Sequence, residues 1–578
     1  MIEPTDFPSS QLNGTGVGPD SENFRSLTGR HFNSLYLFRQ FGRILAFDRV
    51  SGLPYPFSQK TLEVLWALRQ GDPSGSSSAV QQALEELAAW KAVGHLSGEE
   101  PQPATEDLLL PELGTVFLNL THACNLTCPY CVMHLPGLED KYEKNLTPMS
   151  LETAQKALDL IVRTAPQGIT ITFFGGEPLL AFGLLQDIVE YAESHYPGWF
   201  DYQLITNGTL LEPGMFDFIK EHDIRVLVSF DGPPAEHDAL RKFRRGPGST
   251  FQETWRRFQA LLAAWPQCRY QVNATYLRGS LKVAKTVDFF LRQGVAHLRV
   301  DRGLVPRKSP FALTMAEVDR LKEEFDRLIL GYRDYFLRGQ VYRVDPFAQL
   351  ISRLARGRRR WRACNAGVDY LTVAPDGEIY SCFKLLGLPA LRLGHVNHGL
   401  DNRVFAEVWS RHVGQRRPCS SCWARYFCGG GCVADNFHLT GDFFQPSPES
   451  CAIFKHQVRL ALWLFRELED QAPAALKQLV GDAYLLPQDI PVKSKEVREE
   501  PDGLTLRHRR TNAVYRLNQV AAEIWHACDG RLTLSELSAS LAATYGLPQT
   551  LALFDVRFQV SRFLESGLME VSLQKTPN

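Results

Sequence analysis

The sequence predicts an α/β protein whose central part is a parallel sheet or barrel, flanked by small α+β units near both ends. From Gly114 onward, apolar strand-like runs alternate with helical patterns. Polar motifs (CNLTCPYC, GGEP, NGT and DG) each follow directly on one of those runs. In folds made of βα units the chemistry takes place at the carboxyl ends of the strands, where these motifs would lie.

Composition sets the broad class of protein. The 578 residues are too many for one core and predict three or four domains. The sequence has 44% hydrophobic and 22% charged residues, which is ordinary for a globular protein. Its net charge of -1 gives no general reason to expect nucleic acid or an anionic membrane as a partner. The start has no signal-peptide pattern, and no run of about 18 apolar residues predicts a membrane span. We therefore expect a cytoplasmic protein.

The first part of the chain predicts a tail and then a small unit. Residues 1–25 are rich in Pro, Ser, Gly and Asn and are expected to be disordered. SLYLFRQF and ILAFDRV predict two strands, and QKTLEVLWALRQ and AVQQALEELAAWKAV predict two helices. These elements define a small α+β domain over 26–98, and residues 99–112 are expected to be a linker.

The central part carries six predicted strands: TVFLNLT, ITITFFG, YQLIT, VLVSFD, YQVNATYL and HLRVD. Helical patterns such as LETAQKALDLIVRTA and LLQDIVEYAESH lie between them. Strands that alternate with helices indicate parallel pairing.

The later part begins with a second cysteine-rich region, which a helix around AIFKHQVRLALWLFRELED closes. A charged linker precedes a last unit of short strands and three helices, in QVAAEIWHAC, TLSELSASLAATYG and DVRFQVSRFLESG. The two ends resemble each other weakly, so we interpret them as two copies of one domain type.

Ten of the twelve cysteines lie in two clusters, three within Cys124–Cys131 and seven within Cys364–Cys451. Such clustering in a cytosolic chain indicates metal ligation rather than disulfides. Cys268 and Cys528 stand alone and are expected to be small buried hydrophobes.

The first cluster has the spacing Cys-x3-Cys-x2-Cys. Three thiolates would leave one iron of a 4Fe–4S cluster open for a ligand. A zinc site completed by His122 or His134 is the alternative.

The motif CNLTCPYC, placed directly after a strand, resembles the defining motif of the radical S-adenosylmethionine (SAM) superfamily. The resemblance implies a partial (β/α)6 barrel, a 4Fe–4S cluster on Cys124, Cys128 and Cys131 as the catalytic ligands, and SAM bound to the open iron. It also implies a set of SAM-binding residues: Tyr130 against adenine, Gly175, Gly176 and Glu177 at the methionine amine, Arg241 at the carboxylate, and Asn207, Ser229 and Asp231 lining the pocket.

The second cluster resembles the SPASM extension of enzymes that modify peptides, which holds two auxiliary 4Fe–4S clusters. The resemblance assigns Cys419, Cys422, Cys428 and Cys451 to one of them. Cys364, Cys382 and Cys432 go to the other, which lacks a fourth protein thiolate because Arg358 stands about where some relatives have a cysteine. A zinc ribbon is the alternative.

The stretch VYRLNQVAAEIWHACDGRLTLSEL resembles the peptide-binding chaperone of pyrroloquinoline quinone biosynthesis, also called the RiPP recognition element. Such domains bind the leader of a ribosomally made precursor peptide by strand addition. A winged-helix domain for DNA is the alternative, and the basic strand LRHRR favours it.

These resemblances predict a barrel over 113–335, a SPASM domain over 336–470, a linker over 471–499 and a recognition element over 500–575. They imply a peptide maturase that forms a cross-link, and the favoured cross-link is a Cys thioether. The alternative reactions are carbon–carbon cyclophane formation, epimerisation and backbone excision. The implied partners are the precursor peptide and a small electron donor such as flavodoxin or ferredoxin, with no membrane and no nucleic acid. The rival from another class is a non-catalytic zinc-ribbon and winged-helix binding protein.

Overall fold

The structure is a computed structural model that describes most of the chain. The described residues are 35–50, 54–69, 77–92, 103, 113–134, 147–165, 168–357, 359–364, 366–401, 410–481 and 484–572. The predicted tail over 1–25, all of the predicted linker over 99–112 except Pro103, and Arg358 lie outside them. The chain divides into two compact units, one from 103–481 and the other from 1–102 together with 482–578.

The first described segment is a hairpin followed by two helices. β1 (Leu35–Gln40) pairs antiparallel with β2 (Arg43–Asp48). The two turn residues both have positive φ, which gives the turn a twist that suits a two-residue hairpin. α1 (Gln59–Arg69) and α2 (Ser77–Ala92) follow, so all four predicted elements are confirmed.

The six strands predicted for the central part are confirmed as parallel neighbours in chain order. They are β3 (Thr115–Thr121), β4 (Ile169–Gly175), β5 (Phe200–Thr206), β6 (Arg225–Ser229), β7 (Tyr270–Tyr276) and β8 (His297–Arg302). A three-residue strand, β9 (Arg343–Asp345), extends the sheet beyond β8 and was not predicted.

Helices follow the strands, as the alternating pattern predicts. They are α3 (Leu151–Thr164), α4 (Phe182–His195), α5 (Pro213–Glu221), α6 (Pro234–Leu240), α7 (Thr250–Ala264), α8 (Val283–Arg292), α9 (Met315–Leu337) and α10 (Phe347–Arg356). In β3 the alternate residues Val116, Leu118 and Leu120 are fully buried, as expected for a strand covered by helices. This is the predicted partial barrel.

The second cysteine region adds to the same sheet. β10 (Tyr370–Val373) pairs parallel with β3, and β11 (Glu378–Tyr380), β12 (Arg392–His395) and β13 (Gly399–Leu400) continue antiparallel. The helices are α11 (Arg425–Cys428), α12 (Val433–Thr440), α13 (Pro448–Gln471) and α14 (Pro473–Val480). The first barrel strand thus connects the two cysteine regions through hydrogen bonds.

The linker predicted for 471–499 is wrong for its described residues. It contains α14 and two strands, β14 (Ile490–Lys493) and β15 (Val497–Glu499). β14 pairs with β18 (Met569–Ser572), far along the chain, and β15 pairs with the nearby β16 (Thr505–His508). The local charge pattern reveals neither pairing.

The last segment completes the second unit. β17 (Val514–Arg516) pairs with β16, and the predicted helices are confirmed as α15 (Gln519–Ala527), α16 (Leu534–Tyr545) and α17 (Gln549–Glu565). The two chain ends therefore differ in their described elements: the first has one hairpin and two helices, and the last has five strands and three helices.

The two ends share a core through α17. One face of α17 packs within its own segment through Val556, Val560 and Phe563. Another face, including Phe554, packs against Tyr55 and Trp90 of the first segment. The ring centroids of Phe554 and Trp90 are 5.3 Å apart. Segments predicted as separate domains thus form one compact unit.

Candidate active site

The first cysteine motif forms a loop at the carboxyl end of β3. Cys124, Cys128 and Cys131 are all half-buried and free of disulfides. Burial raises the pKa of Cys124 and of Cys128 to about 11, while the guanidinium of Arg241 lowers both. Each thiol also acts on a neighbour's pKa, so the three lie close together. Cation binding would offset the cost of deprotonating such a group.

The glycine-rich turn after β4 lies directly against this loop. Gly176 N–H donates to Thr121 O at 2.8 Å, and Glu177 N–H donates to Ala123 O at 2.9 Å. A Cβ on Gly175 would lie 2.3 Å from Thr121 O, and one on Gly176 would lie 2.2 Å from Ala123 O. Only glycine permits this approach, so the turn fixes the loop that bears the cysteines.

Glu177 is fully buried and ties the turn to β5. Its carboxylate accepts hydrogen bonds from Thr206 Oγ1 at 2.7 Å, from Asn207 N at 2.8 Å and from Leu179 N at 3.1 Å. Burial raises the pKa of Glu177 to about 7, although these bonds lower it. The side chain therefore positions the turn and the next strand.

Asn207 connects the end of β5 to the cysteine loop. Its Nδ2 donates to Asn125 Oδ1 at 2.9 Å and to Cys124 Sγ at 3.8 Å. Its Oδ1 accepts from the backbone N–H of Thr209 at 2.9 Å. Asn125 is a site residue that the sequence analysis missed, although its place inside CNLTCPYC marked it.

Three predicted pocket residues bind one another. Asp231 accepts a hydrogen bond from the hydroxyl of Tyr130 and another from Arg241 Nε at 2.9 Å. Thr275 N–H also donates to Asp231, at 3.1 Å, which adds a second residue missed by the sequence analysis. The guanidinium of Arg241 lies 5.6 Å from the centre of the Tyr130 ring. Arg241 thus sits between the cysteine loop and the end of β6.

A small cleft, open to solvent and with room for about one water molecule, lies beside Asp231 at the ends of β7 and β8. Its lining includes Thr275, Ser280, Lys282 and Thr286. Ser229, at the end of β6, is half-buried and is not part of that lining. The cleft is much smaller than the pockets that usually hold small-molecule ligands.

The second cysteine region brings its thiols into two groups. The pKa of Cys432 is raised by burial first and then by Asp435, Cys364 and Cys382, so these three thiols lie near one another. Burial raises the pKa of Cys419 to about 12, and Cys428, Cys451 and Cys422 add to it. The assignment of these two groups to two auxiliary clusters stays a prediction.

Two half-buried arginines, Arg353 and Arg360, stand beside both groups. Burial lowers the pKa of Arg353 to about 10, and it also lowers the pKa of Arg360. The charge of Cys428 raises the pKa of both arginines, and the charges of Cys364 and Cys432 also raise the pKa of Arg360. A buried cation is costly unless an anion faces it, and iron–sulfur clusters held by thiolates are anionic.

Three further findings concern the described residues. No three His, Cys, Asp or Glu side chains among them form a site for a single metal ion. Cys268 and Cys528 are buried, as predicted. No helix among these residues is long and apolar enough to cross a membrane.

Comparisons with known proteins identify the class. Residues 118–280 match the Radical SAM superfamily. Over 287 residues the chain is 31% identical to an uncharacterized protein of Methanocaldococcus jannaschii, a match that covers 49% of this chain and 88% of that one. The chain belongs to the radical SAM superfamily, whose members work with SAM and a 4Fe–4S cluster.

The terminal unit and further relatives narrow the comparison. Residues 504–569 match coenzyme PQQ synthesis protein D (PqqD). A PqqA peptide cyclase of Rhodopseudomonas palustris is 24% identical over 353 residues, 58% of this chain and 86% of that protein. The structure of anSMEcpe with bound AdoMet superposes with a TM-score of 0.53 at 21% identity over 62% of this chain and 99% of that one, which supports the partial-barrel fold.

Proposed function

We propose that this protein is a SPASM-type radical SAM peptide maturase. It would bind the leader of a ribosomally made precursor peptide through residues 500–575 and would cross-link a residue of the peptide's core. One observation carries this proposal. The same chain contains a radical SAM barrel, in which a glycine turn holds a loop with three thiols, and a PqqD-like unit.

The residues present fit the implied cofactors. Cys124, Cys128 and Cys131 would hold the first cluster, since burial and the neighbouring thiols disfavour the charge of each thiolate, and a bound cation would offset that cost. SAM would lie beside the cysteine loop, near Asp231 and Arg241. When bound, clusters and SAM supply a 5′-deoxyadenosyl radical that abstracts hydrogen, and they accept the electron left over when the cross-link forms.

Arg241 would orient the bound SAM. The carboxylate of Asp231 fixes its guanidinium through Nε and Nη2, at 2.9 and 3.3 Å. A guanidinium held in one orientation is ready to pair with a carboxylate. Tyr130, against the other side of Arg241, would exclude water from this contact.

Two auxiliary clusters would occupy the second region. The two thiol groups and the half-buried arginines support that assignment. Anaerobic protein should then contain about twelve iron and twelve sulfide per chain, for three cubanes. About four of each would leave only the first cluster and would contradict the auxiliary assignment.

We favour a thioether as the product. The carbon loses its hydrogen atom to the deoxyadenosyl radical, the Cys thiol loses its proton, and one electron leaves, so the peptide loses about two hydrogens. Cys364, Cys382 and Cys432 give only three thiolates, which would leave room for a substrate thiolate beside them. The PqqA peptide cyclase relative favours a second candidate, a carbon–carbon cross-link.

Mass spectrometry separates these two products. The reacted precursor, a short peptide encoded beside the gene, would be alkylated at its cysteines and fragmented. A thioether gives the loss of two hydrogens together with one cysteine that no longer takes the label. Loss of the hydrogens with every cysteine still labelled would establish the carbon–carbon product instead.

The leader would add to the sheet at β17. This strand pairs only with β16 among the described residues. His508 N–H donates to Ala513 O and Leu517 N–H donates to Leu504 O, so the backbone groups of Val514 point away from β16. The Val514 side chain is also exposed.

Val514→Pro tests leader binding. Proline would remove an outward N–H without removing a bond to β16. We expect leader affinity to fall at least about tenfold while SAM cleavage without peptide is unchanged. The control for lost apolar area is Val520→Ala, because Val520 is another exposed valine near the strand. Equal affinity of the proline variant and the unaltered protein would reject strand addition at β17.

A further inference from the structure

Tyr370 occupies a position that links the two cysteine regions. It begins β10, where it pairs with Thr115 of the first barrel strand. The neighbouring strand β11 leads directly into Cys382. The Tyr370 ring lies 5.8 Å from that of Phe117, and the Phe117 ring lies 5.4 Å from that of Phe383. The hydroxyl therefore sits at the edge of an apolar aromatic layer, between barrel and cysteine.

The hydroxyl of Tyr370 donates a hydrogen bond to Cys382 Sγ at 3.5 Å. Lys384 N–H donates to the same sulfur at 3.4 Å. Cys382 is buried, so water does not compete for these bonds.

We propose that Tyr370 sets the reduction potential of the cluster held by Cys364, Cys382 and Cys432. This proposal rests on the proposed function, which places a cluster there. A hydrogen bond to a ligating sulfur draws charge away from it and stabilises the reduced cluster. Tyr370 is thus a positioning and tuning residue: it makes this cluster a better acceptor for the electron that the cross-link releases.

Tyr370→Phe keeps the ring that packs on Phe117 and removes only the donor. We expect unchanged iron and sulfide content and a more negative midpoint potential for one cluster only. The equilibrium constant for reduction should fall about fivefold to tenfold, as for the loss of one hydrogen bond of ordinary strength. The reduced cluster should also lose one exchangeable-proton coupling in electron–nuclear double resonance after transfer to deuterated buffer.

The matched control is Tyr380→Phe. Tyr380 lies on the adjacent strand and is also buried, but its hydroxyl donates to Glu378 Oε2 at 2.6 Å. Its variant should leave all three potentials and the proton coupling unaltered. An equal shift in both variants would show that the effect comes from disturbing the sheet and would overturn the proposal.

Three other results decide the matter. If Tyr370→Phe leaves the potential and the proton coupling unchanged, the tuning role is overturned. If Tyr370→Phe loses iron, the tuning role is also overturned, because Tyr370 would then be needed to form the site. Cys382→Ala separates this from the proposed function: if it retains the iron and sulfide of the unaltered protein, no cluster uses Cys382 and the auxiliary assignment itself fails.

Discussion

The two cysteine regions hold their thiols in different ways. Cys124, Cys128 and Cys131 lie on one short loop, which the barrel positions through Gly176, Glu177 and other residues that are not cysteines. The seven cysteines of Cys364–Cys451 lie in separate loops, in a 3-10 turn and in two helices. In the proposed function, the first region therefore binds a reactive cofactor on a fold that exists without it. The second region uses its clusters to join pieces of the fold.

The largest expected effect is on the chemistry of the first region. Alanine at Cys124, Cys128 and Cys131 together should lower 5′-deoxyadenosine production at least about a thousandfold, because no thiolate remains to hold the cluster. The melting temperature should change little, since the barrel strands supply the core. Chromatography of the cofactor products measures the first quantity and calorimetry the second. Undiminished SAM cleavage would refute the assignment of these cysteines.

A single cysteine of the second region should matter more for stability. Cys428→Ala should lose about four iron and lower the melting temperature by about 5 °C or more, because metal binding contributes directly to folding there. Cys268→Ala is the control, since Cys268 is buried but lies outside both clusters. If both variants keep the same iron content and melt alike, the contrast between the two regions is false.

The glycine turn offers a sharper test of how the first region is positioned. Gly176→Ala would place a methyl group against Ala123 O, and we expect SAM binding to weaken at least about tenfold as the loop shifts. Gly183→Ala, seven residues later in α4, meets no atom within 4 Å and should bind SAM normally. Calorimetric titration with SAM compares the two. Equal affinities would mean that the turn does not fix the cysteine loop.

The smallest expected effect is a pH dependence beside the first region. Burial lowers the pKa of His237 to about 4, and its Nδ1 accepts the backbone N–H of Asp231. A depressed folded-state pKa gives stability that is present above the unfolded value and is lost as pH falls. Between about pH 7 and pH 5 this loss amounts to about 2 kcal/mol.

His237→Asn tests this account, because asparagine keeps an acceptor for Asp231 N–H but does not titrate. The free energy of unfolding would be measured in denaturant at several pH values. Between pH 7 and pH 5 it should fall by about 2 kcal/mol more in the unaltered protein than in the variant. A pH dependence that matches that of the unaltered protein would assign the effect to other groups.

Local sequence patterns predicted the six barrel strands, because strand periodicity is a property of short segments. They missed β9, which is only three residues long, and the two strands within 471–499. Of these two, β14 pairs with β18, far along the chain, and β15 pairs with the nearby β16. The local patterns also did not reveal that Arg241 pairs with Asp231, or that the glycines of GGEP lie against backbone atoms of Thr121 and Ala123. Such contacts depend on how strands are stacked, which no single segment specifies. The roles of these residues toward a ligand stay predictions.

The core shared by Trp90 and Phe554 has a consequence for how the protein is made. The two residues are about 460 positions apart. At about 5–20 residues per second, a ribosome needs roughly 25–90 seconds to make the chain between them. Throughout that time Tyr55 and Trp90 lack the helix that covers them, while the strands of the barrel emerge one after another and can already pair. The nascent chain would therefore depend on a chaperone at its first hundred residues, and ribosome profiling of chaperone-bound chains would show that dependence ending as α17 leaves the exit tunnel.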